Sequence, residues 1–439
     1  MAAERKTLTQ LSVPICLETL FYMLSGMVDT LMLSSVSDQA VGAVGTANTY
    51  IGVFIIMFGV ISSGMVAVMS QNIGAGRPRI AYQARQLGLV FNTLTAILMS
   101  VVLAVFSGGI LRAVSIAPAL LESAETYLKI VGGASFLNAL IPIFSSYLRV
   151  FGYTKHSLIG TVVGNVINII LNSVFLFVFH WGVMGVATAT VISKVVNLII
   201  VATMGAVLIK AKQSPERAQP RRILAQIVKI GFPSAFETAL YNVAMTFIVC
   251  FMNHMDTDGM NVTARSYAMQ IANFSYCVGA ALAQANAIMT GWRIGAKKYE
   301  ECDRGTRKAV IYGLVTATCF SVTFAITGRF IVHIFTNDIQ MIELVVKLLV
   351  VDIFLEFGRV TNLVYGQALK TSGDAIFPVI MGAIFMYLFA VGGTYFLGIH
   401  MGLLAVGAYI AMAGDECARA VGMVLRWKSG KWKSKSLVE

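Results

Sequence analysis

"PICLETLFY", Pro14 to Tyr22, returns as "PSAFETALY", Pro233 to Tyr241, with proline, glutamate, threonine and tyrosine in register 219 residues apart. The spacing is kept along the chain. "NIGAG" at Asn72 pairs with "RIGAK" at Arg293, "LRVFGYTK" at Leu148 with "LKTSGDAI" at Leu369, and "GVMGVA" at Gly182 with "GLLAVG" at Gly402, at offsets of 220 or 221. An offset this constant marks a duplicated structural unit.

Each copy is built for lipid. Of 439 residues, 57% are hydrophobic and 12% charged, against about 25% charged in a soluble domain. Ala47 to Ser70, Gln86 to Leu111, Ser157 to Phe179, Ser266 to Trp292 and Ala375 to Phe396 contain no Asp, Glu, Lys or Arg. Each reaches the roughly 20 residues that span a bilayer core, too long for barrel strands. The fold class is therefore all-α and polytopic, with spans near 11–34, 47–71, 86–109, 122–148, 157–179, 183–208, 227–252, 266–290, 309–328, 343–369, 376–398 and 402–425. Pro14, Glu18 and Asp29 inside the first span, with no small-residue cleavage site, exclude a cleaved signal peptide. Twelve spans in two matched sets of six predict an amino-terminal lobe over 1–208, a linker over 209–226, a carboxy-terminal lobe over 227–425 and a basic tail over 426–439. Six is even, so both lobes start on the same side, as a parallel repeat.

The net charge of +12 is read as topology, not as nucleic-acid binding. With the amino terminus inside, the inner connections hold Arg5, Lys6, Arg77, Arg79, Arg85, Arg149, Lys155, the Lys210–Lys229 and Arg293–Lys308 clusters, Lys370 and the tail. The outer side holds Arg112, Arg265, Arg329 and Lys347. That asymmetry predicts two cytoplasmic termini. The six cysteines have no C-x-x-C spacing and imply neither disulfides nor a metal. No G-x-x-x-x-G-K-[ST] loop occurs, so transport would draw on an ion gradient, not on ATP. The five scattered histidines form no catalytic constellation; the chain is not an enzyme and needs no cofactor.

An acid in mid-bilayer costs about 2.5 to 3.5 kcal/mol on insertion scales, so each one retained asks for a partner or a role. Glu18, Tyr22, Ser25 and Asp29 form one stripe in the first span. Glu18 and Asp29 sit about 20° apart around the helix and roughly 16 Å apart along it. Glu237 and Tyr241 repeat Glu18 and Tyr22, but Asp29 falls on Ile248. Glu18 is either an acid reaching water at the interface or part of the repeated scaffold or cavity wall. Asp29 is either a protonated buried carboxyl or an ion site. Asn165, Asn168 and Asn172 in span five and Thr188 and Thr190 in span six offer oxygens that suit Na+ beside a carboxylate, or a setting for proton exchange. The same asparagines also suit interhelical hydrogen bonding. In span ten, Asp352, Glu356 and Arg359 lie at i, i+4 and i+7; Glu356 with Arg359 reads as an ion pair, with a gating or substrate role as the alternative. Asp415, Glu416 and Arg419 repeat the theme. Lys129 and Lys194 read as lone bases of open role. The 22 methionines suit lipid contact and helix packing, or a cavity adaptable to many apolar shapes.

"MVDTLML" from Met27, "MSQNIGAGR" after span two, "YLRVFGYTK" after span four, "NIILN" in span five, "GVMGVATATVIS" opening span six and the closing "DECARAVGMVLRW" together resemble the multidrug and toxic compound extrusion (MATE) family of the multidrug/oligosaccharidyl-lipid/polysaccharide flippase superfamily, from about residue 8 to 430. The resemblance implies an antiporter of two six-helix lobes in a bacterial inner membrane, acting as a monomer. It would expel small amphipathic, often cationic drugs as Na+ or H+ enters. It places the family's cation site on Asp29, Asn168, Asn172 and Thr190, with a possible Na+ at Asp29. Asn172 stands where some members carry a second aspartate. A different branch uses acids in spans seven and ten, but Glu237 lies about a helical turn from that position and Arg359 replaces the other acid. The alternative is a lipid-linked saccharide flippase of the same superfamily, which would call for a strongly basic groove. The intramembrane charges of the whole chain lean acidic, toward cationic cargo.

Overall fold

In hydrocarbon a helix satisfies its own backbone, and the apolar runs fold accordingly. The computed structural model describes residues 6–35, 37–113, 118–211, 218–255 and 259–438; Arg5, Lys212 and Arg217 of the charge pattern lie outside them. The chain forms two compact units that divide at the repeated proline, Met1–Phe232 and Pro233–Glu439.

The first unit runs through α1 (Leu8–Ser34), α2 (Asp38–Gly74), α3 (Pro78–Val105), a short α4 (Ser107–Ala113), α5 (Pro118–Tyr127), α6 (Phe136–Val150), α7 (Thr154–Ser173) and α8 (Gly182–Leu208). A π-turn at Leu128–Gly132 continues α5, and the rod then bends by 42° into α6, so the fourth span is one broken helix. The second unit follows with α9 (Pro220–Asn253), whose opening turns belong to the first unit, then α10 (Met260–Gly295), α11 (Tyr299–Val332), α12 (Ile339–Ser372), α13 (Ile376–Phe385) and α14 (Leu404–Lys428). Wider π-turns at Met386–Val391 and Thr394–His400 extend α13. Each unit thus has six membrane-length rods among the described residues.

The ends are set by local chemistry. Thr7 and Gln10 form a reciprocal capping box on α1, and Ser37 and Asp338 cap α2 and α12 through their side chains. The duplication extends to the exits. After α2 the amides of Gly76 and Arg77 return to Ile73 and Asn72, and after α10 those of Lys297 and Lys298 return to Ile294 and Arg293. Gly76 and Lys297 both take the left-handed conformation, at φ +77° and +59°. The exits of α6 and α12 match in the same way at Gly152 and Gly373.

Among the described residues, eight helices are long and apolar enough to cross a membrane, and the bent α5–α6 pair passes as a ninth. α10, α12 and α14 are long enough but too polar for that test. They pack on one another in the second unit, as polar membrane helices must if their charges are to avoid lipid. The contact between α12 and α14 is at backbone range: a Cβ on Gly358 would stand 2.6 Å from the Cys417 amide nitrogen. In the first unit, Gly164 similarly admits α8, with Ser193 O at 3.2 Å from its would-be Cβ. The basic tail folds back on the second unit. Trp432 stacks on Trp427 at 4.2 Å between centroids, the Trp427 indole donates to Asp303 at 2.8 Å, and Arg426 holds both oxygens of Asp374 at 2.7 and 3.1 Å.

Candidate functional site

α1 packs along α7, and α7 along α8, which gathers the polar residues of three spans. Asn172 donates its amide to Asp29 Oδ1 at 2.6 Å and to Asn168 Oδ1 at 3.3 Å. Both asparagines are buried, and the other face of the Asn172 amide, Oδ1, has no hydrogen-bond partner. The Thr190 hydroxyl donates to Val186 O at 2.8 Å, so it is tied to its own helix. Thr188 is tied the same way to Met184 O, and Asn165 donates across to Phe21 O at 2.6 Å.

Lys194 enters this site from α8. Its ammonium donates to Asn138 Oδ1 of α6 at 2.9 Å and lies close enough to Asp29 for the two charges to interact. Tyr127, in turn, hydrogen-bonds Asn48 and lies within electrostatic reach of Asp29 and Tyr22. Lys194, a lone base by sequence, is thus partnered, and Asn138, Tyr127 and Asn48 join it with no sequence signal beyond the i, i+4 spacing of Thr190 and Lys194. Lys129, the other lone base, pairs with Glu125 at 2.8 Å. The position in the second unit that matches Asp29 is Ile248, fully buried in an apolar cluster with Met252, Leu348 and Met386.

Glu18 is buried away from this site. Its Oε1 accepts from Ser157 at 2.9 Å and pairs with Arg149 at 2.7 Å. Glu237 pairs with Lys370 at 2.5 Å in the second unit. Arg149 and Lys370 are themselves in register, so the ion pair is duplicated along with the helices. Tyr22 and Tyr241, the other repeated residues, are exposed on α1 and α9.

Residues of the second unit line a cavity of about 440 Å³, within the range of small-molecule sites. Glu237, Asp352 and Glu416 line it, as do Arg265, Arg359, Lys370 and Arg419. Four bases against three acids make this wall mixed, where the chain-wide count of intramembrane charges leans acidic. Most of the charges are spoken for. Arg359 forms an ion pair with the fully buried Glu356, and its Nε lies 3.7 Å from Glu416 Oε1. Arg419 bonds both oxygens of Asp415 at 3.0 and 2.7 Å and reaches Glu416 at 2.8 Å. Asn362 donates to Glu416 Oε2 at 3.0 Å. Five methionines, Met245, Met269, Met386, Met412 and Met423, supply the soft apolar wall. No cluster of three metal-ligating side chains occurs among the described residues.

Comparison with known proteins agrees with this architecture. The MatE family model matches residues 14–174 and again 233–396, once per unit. An uncharacterized transporter of Bacillus subtilis, YisQ, is 32% identical over 98% of this chain and 96% of its own. A probable multidrug resistance protein NorM of Thermotoga maritima is 26% identical over 99% and 94%. Among solved structures, a MOP superfamily transporter of Pyrococcus furiosus superposes with a TM-score of 0.88 at 18% identity, covering 97% of this chain and 96% of its own. A variant of the Vibrio cholerae MATE transporter VcmN does so with 0.89 at 19% identity, covering 99% and 98%. The chain is therefore a membrane transporter, not an enzyme, and belongs to the MatE family, the multidrug and toxic compound extrusion transporters.

Proposed function

We propose that this chain is a proton-coupled exporter of small amphipathic molecules, working as a monomer in a bacterial inner membrane with both termini in the cytoplasm. The orientation rests on the positive charge of the inner connections. The exporter reading rests on the multidrug resistance names of relatives such as NorM of Thermotoga maritima and on the methionine-walled cavity.

One observation carries the coupling: Asp29 is a deep carboxylate in one unit of a duplicated fold, and its polar neighbours present N–H groups to it. Asn172 turns its amide nitrogen to Oδ1 and Lys194 brings a resident positive charge. Sodium needs oxygen ligands and gains little beside an ammonium, whereas a proton needs one acceptor and one donor. The unpartnered Asn172 Oδ1 is an acceptor that a protonated Asp29 reaches once the amide turns. Protonation from outside neutralises Asp29 and loosens its bond to α7, and α1 repacks. The ion then favours one conformation by its differential affinity, and drug and proton compete for states of the carrier.

Dye efflux from proteoliposomes under an imposed pH gradient and, separately, an imposed Na+ gradient tests this. The pH gradient drives efflux and the Na+ gradient does not; Asp29→Asn, expressed and monodisperse, abolishes the gradient dependence. Efflux driven by Na+ alone, or unchanged coupling in Asp29→Asn, overturns it.

A further inference from the structure

Two charges in the second unit's cavity have no ion-pair partner among the described residues. Arg265 of α10, 7% exposed, makes one weak contact from its guanidinium, 3.7 Å to Met245 Sδ, and its buried Nε has no partner. Asp352 of α12 is 4% exposed, forms no ion pair among the described residues, and feels the Arg359 charge only through space. Both line the cavity, at the end where Tyr409 of α14 stands within electrostatic reach of each. The other charged residues of the wall, Glu237, Arg359, Lys370, Glu416 and Arg419, are by contrast all in ion pairs.

A buried guanidinium and a buried carboxylate that both forgo pairing are expensive in a membrane protein. They are retained where a ligand completes them. We infer that the cavity of the second unit binds zwitterionic amphipaths, Arg265 taking the ligand's anionic group, Asp352 its cationic group, and the methionine wall its apolar body. This rests on the exporter reading for its biological use but not for its test. A purely cationic ligand would leave Arg265 unpaired beside it, and a purely anionic one would leave Asp352 so; the zwitterion alone satisfies both.

Three xanthene dyes separate these cases: tetramethylrhodamine, a zwitterion at neutral pH; its methyl ester, a cation on the same skeleton; and fluorescein, which carries no cation. Binding to the full-length protein in detergent, followed by fluorescence anisotropy without any gradient, ranks them. The zwitterion binds at least about tenfold tighter than its ester, roughly 1.4 kcal/mol, against the partition tendency that favours the more apolar ester. Fluorescein binds more weakly than the zwitterion. Arg265→Gln brings the zwitterion down to the affinity of the ester and leaves the ester unchanged, Arg265→Lys keeps part of the preference, and Asp352→Asn weakens both cation-bearing dyes. An ester that binds wild-type protein as tightly as the free acid overturns the inference with no variant needed. So does an Arg265→Gln protein that loses both dyes equally while remaining folded. Because no transport is read, a failed proton-coupling experiment leaves this ranking untouched, and a failed ranking leaves coupling at Asp29 untouched.

Discussion

Glu18 on α1 and Arg149 on α6 form a 2.7 Å ion pair, and the duplicated fold repeats it as Glu237 and Lys370. Duplication of a contact together with its geometry marks it as part of the frame of each unit. In the first unit the pair, with Ser157, ties α1 to the start of α7 and the end of α6, so the lower part of α1 is anchored while Asp29 lies further along it.

Arg149→Leu should therefore act on stability. It strands a buried carboxylate, and breaking a buried pair from one side costs about 3 to 5 kcal/mol. Reduced yield and a lowered melting temperature in detergent are expected, with Glu18→Gln in the same chain restoring much of the loss. Arg149→Lys, which copies the second unit, is expected to fold. A variant that melts normally but transports without coupling would move Glu18 from the frame into the ion pathway.

Lys194→Met separates the two roles of positive charge at Asp29. Removing the resident ammonium leaves the carboxylate with Asn168 and Asn172 beside it, whose amide oxygens are of the kind that sodium requires. Na+-stimulated efflux, absent from wild type, is expected to appear, while Lys194→Arg keeps the wild-type behaviour. Transport assays with and without Na+ at fixed pH read this directly. Unaltered ion dependence in Lys194→Met would remove Lys194 from the coupling chemistry.

The twelve rods and the duplication were legible in the sequence because both depend on local signals, apolar length and repeated end-motifs. Asp29 stood out for the same reason: the register placed Ile248 opposite it. The partners were harder to see. Arg149, Lys370 and Arg265 look like topology charges at span ends, and only packing shows that the first two neutralise repeated glutamates while the third turns into a cavity. The register that aligns "LRVFGYTK" with "LKTSGDAI" did contain the Arg149–Lys370 match. Lys194 could not be placed, because its neighbours come from α1 and α6, far away in the chain. The docked tail was also hidden: a run of lysines conceals that Trp432 between them is buried against Trp427.

Gly358→Ala tests the close contact of α12 and α14. The added methyl group would stand 2.6 Å from the Cys417 nitrogen, and backbone cannot yield as a flexible side chain does, so the helices must part. Arg359, one residue on, then moves from Glu416. A substantially lower melting temperature is expected, together with loss of dye binding in the cavity. Gly366→Ala on the same helix is the control, since nothing lies within 4 Å of its would-be Cβ; there the better helix propensity of alanine should be neutral or stabilising by up to about 1 kcal/mol. Equal effects of the two substitutions would mean that helix propensity, not the contact, governs this region.

Arg359 is the hub whose removal distinguishes a structural network from a mobile one. It pairs with Glu356 on its own helix and approaches Glu416 on α14, while Arg419 holds Glu416 from the other side. Arg359→Leu strands Glu356, which is fully buried and has no other ion-pair partner among the described residues, whereas Glu416 keeps Arg419 and Asn362. The loss should therefore be carried by Glu356. Adding Glu356→Leu to Arg359→Leu is expected to recover most of the stability, because two apolar side chains replace a buried pair at little net cost, whereas adding Glu416→Gln recovers little. A double-mutant cycle on melting temperature and on dye affinity reads both couplings. If Glu416→Gln proves the better rescue, the network's weight lies between α12 and α14, and those helices are coupled through charge as well as through the Gly358 contact.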